Sequence, residues 1–206
     1  ILRLFLLTFF CITYVNAIDI DGVLDEEEWD NAQQISEFTT IVPYNFEDPK
    51  YQTNVRIFTN QDGIYIGFIN EQDNETIRSF NHIRDDWDDR GDKNSITIDF
   101  DGNSKVAYGF TVSLGGSLAD ATYTNGNSES KDWDGDWIAK TFKGNNFWSS
   151  EFFIPWTVVP MQKVEGSKRN IKFIAFRWLA SDEYGFGSTK TNWERETFIY
   201  DLEDLI

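Results

Sequence analysis

The sequence predicts an all-β protein, an antiparallel β-sandwich with one or two short helical turns. Three observations lead there. Apolar and polar residues alternate with a period of two through most of the chain, the pattern of strands that bury one face. The candidate strands are separated by Gly, Asn and Asp rather than by helix-length segments, which argues against alternating β-α-β units. Hydrophobic residues make up 40% of the 206 residues and aromatics 17%, enough for one large core.

Each element can be justified in order. Arg3 precedes an apolar run from Leu4 to Val15, and Val15-Asn16-Ala17 forms a small-residue cleavage pattern, so residues 1–17 read as a signal peptide. The run is too short to span a bilayer comfortably. Cys11, the only cysteine, lies inside it, so the chain beyond residue 17 carries neither a disulfide nor a thiolate metal site. The chain opens without Met, as a fragment of a longer reading frame would. Residues 18–206 read as one domain, because no low-complexity linker or internal repeat interrupts them.

Within that domain, Asp25–Ala32 carries acids near the start of a short helical turn, where the helix dipole favours them. Val55–Phe58 and Ile64–Ile69 flank Asn60-Gln61-Asp62-Gly63, whose Asp-Gly pair favours a tight hairpin turn. Further strands are expected at Ser95–Phe100, Val106–Ser113, Trp137–Phe142, Trp148–Ile154, Ile171–Leu179 and Thr197–Tyr200. Pro155-Trp156, followed by Val158-Val159-Pro160, is the place for a second helical turn.

Charge narrows the function. With 18 basic and 35 acidic residues, the chain carries a net charge of −17, which repels nucleic acid and anionic membrane. Carboxylates at this density either solvate an exported protein or hold a hard cation such as calcium. They cluster at Asp85-Asp86-Trp87-Asp88-Asp89-Arg90-Gly91-Asp92, at Asp99 and Asp101, and at Asp132, Asp134 and Asp136, which alternate and would share one face of a strand. The candidate calcium ligands are Asp85, Asp88, Asp92, Asp99, Asp101, Asp132, Asp134 and Asp136. Asp99-x-Asp101-Gly102-Asn103 is not an EF-hand, because its Gly comes too early and no Glu follows at the twelfth position. Catalysis finds little support. With His82 as the only histidine and no thiol after residue 17, Ser/His/Asp and Cys/His arrangements are nearly excluded, as is a multi-His zinc site. Eight tryptophans exceed what one core usually holds, so some should lie at the surface, where flat apolar faces ordinarily bind ligands.

Several segments fall in one recognisable order. They are Ile20-Asp21-Gly22-x-x-Asp25-x-x-x-Trp29, the Val55–Ile69 hairpin, Lys93–Asp101, Phe110–Ser113, Trp148–Pro155 with its Glu151-x-x-Ile154-Pro155, Ile171–Trp178, and Asn192-Trp193-Glu194. As an ordered set spanning nearly all of residues 18–206, they resemble the family-9 carbohydrate-binding modules. Asp132-Trp133-Asp134-Gly135-Asp136-Trp137 further resembles a W-D-x-x-W segment of large bacterial proteins that place such a module before an outer-membrane β-barrel.

The resemblance implies a jelly-roll or immunoglobulin-like sandwich without catalytic residues. It also implies binding of sugar chain ends in a slot between two tryptophans, with calcium in structural roles. The matching positions are Trp193 and, with a small gap in the Asp85–Asp92 loop, Trp87. The polar anchors fall at Thr97, Thr111 and Ser113, shorter than the charged or amide side chains usual there. Two readings therefore stay open. One is an exported carbohydrate-binding module, secreted, periplasmic or surface-associated, that takes an oligosaccharide or polysaccharide and accompanies a catalytic or barrel domain. The other is an interaction domain of an outer-membrane barrel protein without a sugar ligand.

Overall fold

The expected alternation is realised as two antiparallel sheets packed face to face in the computed structural model, which describes residues 18–86, 89–163, 169–192 and 195–205. The strands are β1 (Gln33–Ile35), β2 (Thr39–Val42), β3 (Thr53–Thr59), β4 (Gly63–Glu71), β5 (Lys93–Asp99), β6 (Val106–Ser113) and β7 (Leu118–Thr124). They continue with β8 (Ser128–Ser130), β9 (Ile138–Lys143), β10 (Phe147–Pro155), β11 (Lys172–Leu179), β12 (Tyr184–Gly187) and β13 (Glu203–Asp204). The first sheet has the order β1-β3-β4-β10-β9, and the second β2-β12-β11-β5-β6-β7-β8, with β13 pairing β11 beside β12. The expected signal segment 1–17 lies outside the described residues.

The longer predicted strands all form, and the Asp62-Gly63 hairpin closes through an Asn60 side chain that accepts from the amides of Asp62 (2.8 Å) and Gly63 (3.1 Å). The helical turn at Asp25–Ala32 is a 3-10 turn over Glu27–Asn31. Two expectations need correction. Thr197–Tyr200 is not a strand but a 3-10 turn at Phe198–Tyr200, because Phe198 and Ile199 bury themselves against Tyr123, Ala121 and Ile174 instead of joining a ladder. The segment from Pro155 is a single turn, closed by the Val158 amide on the Pro155 carbonyl (2.9 Å), and no helix follows it among the described residues.

Core side chains come from alternate positions on both sheets. Val55, Ile57, Ile64, Ile66, Phe68, Phe152 and Ile154 of the first meet Ile96, Ile98, Phe110, Val112, Phe173, Ala175 and Phe186 of the second. At one end this core turns polar. Arg177, fully buried, donates to the Gln52 and Glu71 carbonyls, to Thr53 Oγ1 and to Gln72 Oε1. Gln72 also accepts from the Trp148 indole and donates to Asp92, and Asn70, Asn94 and Ser150 complete the network. Burial pulls the Arg177 guanidinium down to about 10.

The outer face of the first sheet is closed by the N-terminal segment. Trp29, Ile18, Ile20 and Leu24 pack on Phe58, Tyr65 and Phe153. Gly67 makes this possible, since a Cβ there would sit 2.3 Å from Leu24 Cδ2. Beside it, Glu151 on β10 accepts from the amides of Asp21 (3.0 Å) and Gly22 (2.7 Å) and from the Trp29 indole (3.1 Å). The second sheet's outer face carries two apolar clusters, one of Ile41, Phe176 and Trp178 and one of Tyr123, Ile174, Phe198 and Ile199. Among the described residues, no helix is long and apolar enough to cross a membrane.

Candidate functional site

The alternation that sends Ile96, Ile98, Phe110 and Val112 into the core sends Ser95, Thr97, Gly109 and Thr111 to the opposite face of the second sheet. Strand register lines these small residues up. One rung across β11, β5, β6 and β7 reads Phe176, Ser95, Thr111, Ala119, and the next reads Ile174, Thr97, Gly109, Ala121. Small side chains in the middle of both rungs leave a trough. Ile41 of β2 joins Phe176 on one bank, with Trp178 beside them. Tyr123 of β7 and Phe198 form the other bank, their rings edge to face at 5.5 Å.

The trough holds about 410 Å³ of free space, of which the enclosed cavity is only about 20 Å³, and nearly all of its lining side chains are buried. A water fits there, while a larger ring must lie at the mouth. No charged side chain lines it. Its polar groups are hydroxyls: Ser95 and Thr111 bond each other at 2.7 Å, and Thr97 stands in the adjacent rung. Burial holds the Tyr123 phenol well above its usual range, so it stays protonated.

Thr97 and Thr111 thus lie in the floor, as two of the three anchor positions expected from sequence. Ser113 does not line the trough. Its hydroxyl holds the β6–β7 turn, accepting from the Ser117 amide (3.1 Å) and donating to the Phe80 carbonyl (3.5 Å). Trp87, Trp193 and Asp88 lie outside the described residues. Among the described residues that follow them in the chain, Asp89 accepts at its carbonyl from the Trp178 indole (2.9 Å), and Arg195 lies 5.5 Å from the Tyr44 ring. Ser95, Gly109, Ile174 and Phe176 were missed although the period-two pattern places them with Thr97 and Thr111. Ile41, Tyr123 and Phe198 had no such signal, because their elements were not legible.

The proposed calcium ligands are spread over four places. Asp92, fully buried, accepts from Gln72 and from the amides of Arg78 and Ala180, and burial pushes its carboxyl up. Asp99 closes the turn after β5 by accepting from the amides of Asp101, Gly102 and Ser104. Asp101 pairs with Arg169 at 2.6 Å. Asp85 and Asp134 flank the Arg84 guanidinium at 3.6 and 3.0 Å, and Arg84 also pairs with Asp120. Asp120 accepts from the Trp137 indole at 2.7 Å, and burial pushes it up as well. Asp132 bonds Ser130, and Asp136 stands two residues beyond Asp134 on the approach to β9. Arginines and main-chain amides satisfy most of these acids. Among the described residues, no group of three or more acidic, His or Cys side chains converges as a metal shell would.

The two-sheet antiparallel sandwich is an architecture that solved structures share. A Bacteroides uniformis protein assigned to carbohydrate binding superposes with a TM-score of 0.60 at 12% identity, over 82% of this chain and 85% of that one. A family-9 carbohydrate-binding module from Caldicellulosiruptor kristjanssonii in complex with glucose gives 0.58 at 11% identity, over 91% and 90% of the two chains. The same organism's family-9 module with cellotriose gives 0.58 at 13% identity, over 88% and 86%. These identities establish a shared fold. By sequence, no family model matches the chain and no curated protein matches it significantly.

Proposed function

We propose that this chain is a non-catalytic carbohydrate-binding module that takes a glycan or sugar chain end on the outer face of its second sheet. The observation that carries the reading is the uncharged trough of hydroxyls and small residues between two aromatic banks. A pyranose has an apolar C–H face that packs on aromatic rings, while its hydroxyls need donors and acceptors at the rim. The similarity in fold to modules solved with glucose and cellotriose supports the same reading. Trp87 and Trp193 supply the stacking faces in this proposal, and Thr97 and Thr111 the polar anchors. Affinity is modest, because the sugar lies at the mouth of a shallow site and each polar contact contributes about 0.5–1.5 kcal/mol net.

The proposal extends to context. The module is exported, acts in the periplasm or at the cell surface, and belongs to a larger protein whose catalytic or barrel domain accompanies it. Calcium ties down the acidic loops in this proposal, with Asp85 and Asp134, which flank Arg84, among its candidate ligands. The test is isothermal titration with a panel of soluble oligosaccharides, with calcium and then with chelator, on the wild-type chain and on Trp193→Ala. Saturable binding that Trp193→Ala abolishes, in a variant that still unfolds cooperatively, is the expected result. Silence across the panel in a folded, calcium-loaded protein refutes carbohydrate binding and favours an interaction domain. An unfolding temperature that chelator leaves unchanged refutes the calcium role.

A further inference from the structure

Beyond the bank formed by Tyr123 and Phe198, the surface opens into a second depression lined by Asn125, Asn127, Ser128, Glu196, Thr197 and Tyr200. Tyr200 is 56% exposed, the most exposed aromatic side chain among the described residues. A ring exposed beside a depression offers a flat apolar face with a polar hydroxyl at its end. Its surroundings are amides, hydroxyls and one carboxylate, with no Lys or Arg, so they offer both donors and acceptors to a neutral polyol and no cation to an anion.

The ring is also held in place. Phe198 and Ile199, its neighbours in the 3-10 turn, are buried in a cluster with Tyr123 and Ala121. The Ile199 amide donates to the Gly126 carbonyl at 3.0 Å, which ties this turn to the one between β7 and β8. Gly126 has φ +90°, and a Cβ on it would lie 1.6 Å from the Glu196 carbonyl oxygen and 3.4 Å from Tyr200 Cε2. The glycine therefore lets the two turns touch and seats the ring, so little order has to be imposed on binding. Continuity with the trough follows from the chain itself: Tyr123 and Asn125 lie two residues apart, as do Phe198 and Tyr200, so one bank separates the two depressions.

We infer that Tyr200, with Asn125 and Glu196 at its rim, forms a second carbohydrate subsite that receives the next units of a neutral oligosaccharide whose end lies in the trough. This inference rests on the carbohydrate-binding reading and adds to it that affinity grows with chain length. The test is titration of the whole chain with monomer–trimer pairs, glucose with cellotriose, xylose with xylotriose and mannose with mannotriose, for wild type, Tyr200→Ala and Tyr200→Phe. Wild type is expected to bind its preferred trimer about five- to tenfold more tightly than the monomer, the contribution of one additional stacked ring. Tyr200→Ala removes that preference while monomer affinity stays within about twofold, and Tyr200→Phe, which keeps the ring, retains it. Equal trimer and monomer affinity in wild type, or a preference that survives Tyr200→Ala, overturns the subsite but leaves the module standing. No binding of any sugar by wild type overturns both.

Discussion

Replacing Glu151 by Gln should make the protein more stable at pH 8 and leave it nearly unchanged at pH 5. Glu151 is fully buried under the N-terminal segment. Burial outweighs the donated bonds of Gly22 and Asp21, and the nearby Glu26 and Asp21 carboxylates add repulsion, so its carboxyl is pushed from 4.5 up to about 7. Glu26 and Glu151 both accept from the single Trp29 indole N–H, at 3.0 and 3.1 Å, which brings two carboxylates to one proton.

Because the folded value lies above the unfolded one, the folded chain holds the extra proton. This contribution is fully present below about pH 4.5 and is lost as pH climbs through about 7. A shift of that size corresponds to about 3 kcal/mol, an upper figure because the surrounding groups relax around a buried charge. Gln cannot ionise and keeps an oxygen to accept from the two amides, so it imitates the protonated form. The assay is thermal unfolding by circular dichroism from pH 5 to 8. At pH 8 the variant's Tm should lie several degrees above wild type, since about 1 kcal/mol moves a domain of this size by about 2–4 °C. At pH 5 the two should agree within about 2 °C. A difference that does not change with pH, or a variant weaker at pH 8, would refute the reasoning.

Other perturbations test the polar core and the trough. Arg177→Met leaves the Gln52, Thr53, Glu71 and Gln72 acceptors without their donor and Asp92 without its nearest positive charge, so stability should fall by about 3–5 kcal/mol. A Tm within about 3 °C of wild type would show that the network contributes nothing net. Thr111→Val preserves shape but removes the partner of Ser95, and should cost about 1 kcal/mol in stability and about three- to tenfold in monosaccharide affinity. Unchanged affinity by titration would take Thr111 out of the site.

Much of the sandwich was readable in one dimension. Strands such as β3, β4, β6 and β11 carry β-branched and aromatic residues, and their alternation encodes which side is buried without reference to any partner. The elements that escaped do not carry their own signal. β7 reads Leu-Ala-Asp-Ala-Thr-Tyr-Thr and β12 Tyr-Gly-Phe-Gly, with residues that favour strands only once a neighbouring strand supplies the hydrogen bonds. The reverse error, at Thr197–Tyr200, has the same origin, because a strand-like composition cannot say whether its apolar residues will join a ladder or cap a face.

The site divides along that line too. The sequence by itself determined the fold class, the acidic composition and the scarcity of catalytic groups, and its family resemblance pointed to Thr97 and Thr111 as anchor positions. Only the tertiary structure decided that Ser95 and Gly109 deepen the same floor, that Ser113 is spent on a turn, and that Arg84 and Arg169 stand among the acids. It also decided that Tyr123, Phe198 and Tyr200 meet along one edge. The physical reason is that side-chain direction along a strand is local, fixed by the pleat. Which rungs align, and what lands on them, depends on register between segments as far apart as β5, β7 and the Phe198–Tyr200 turn.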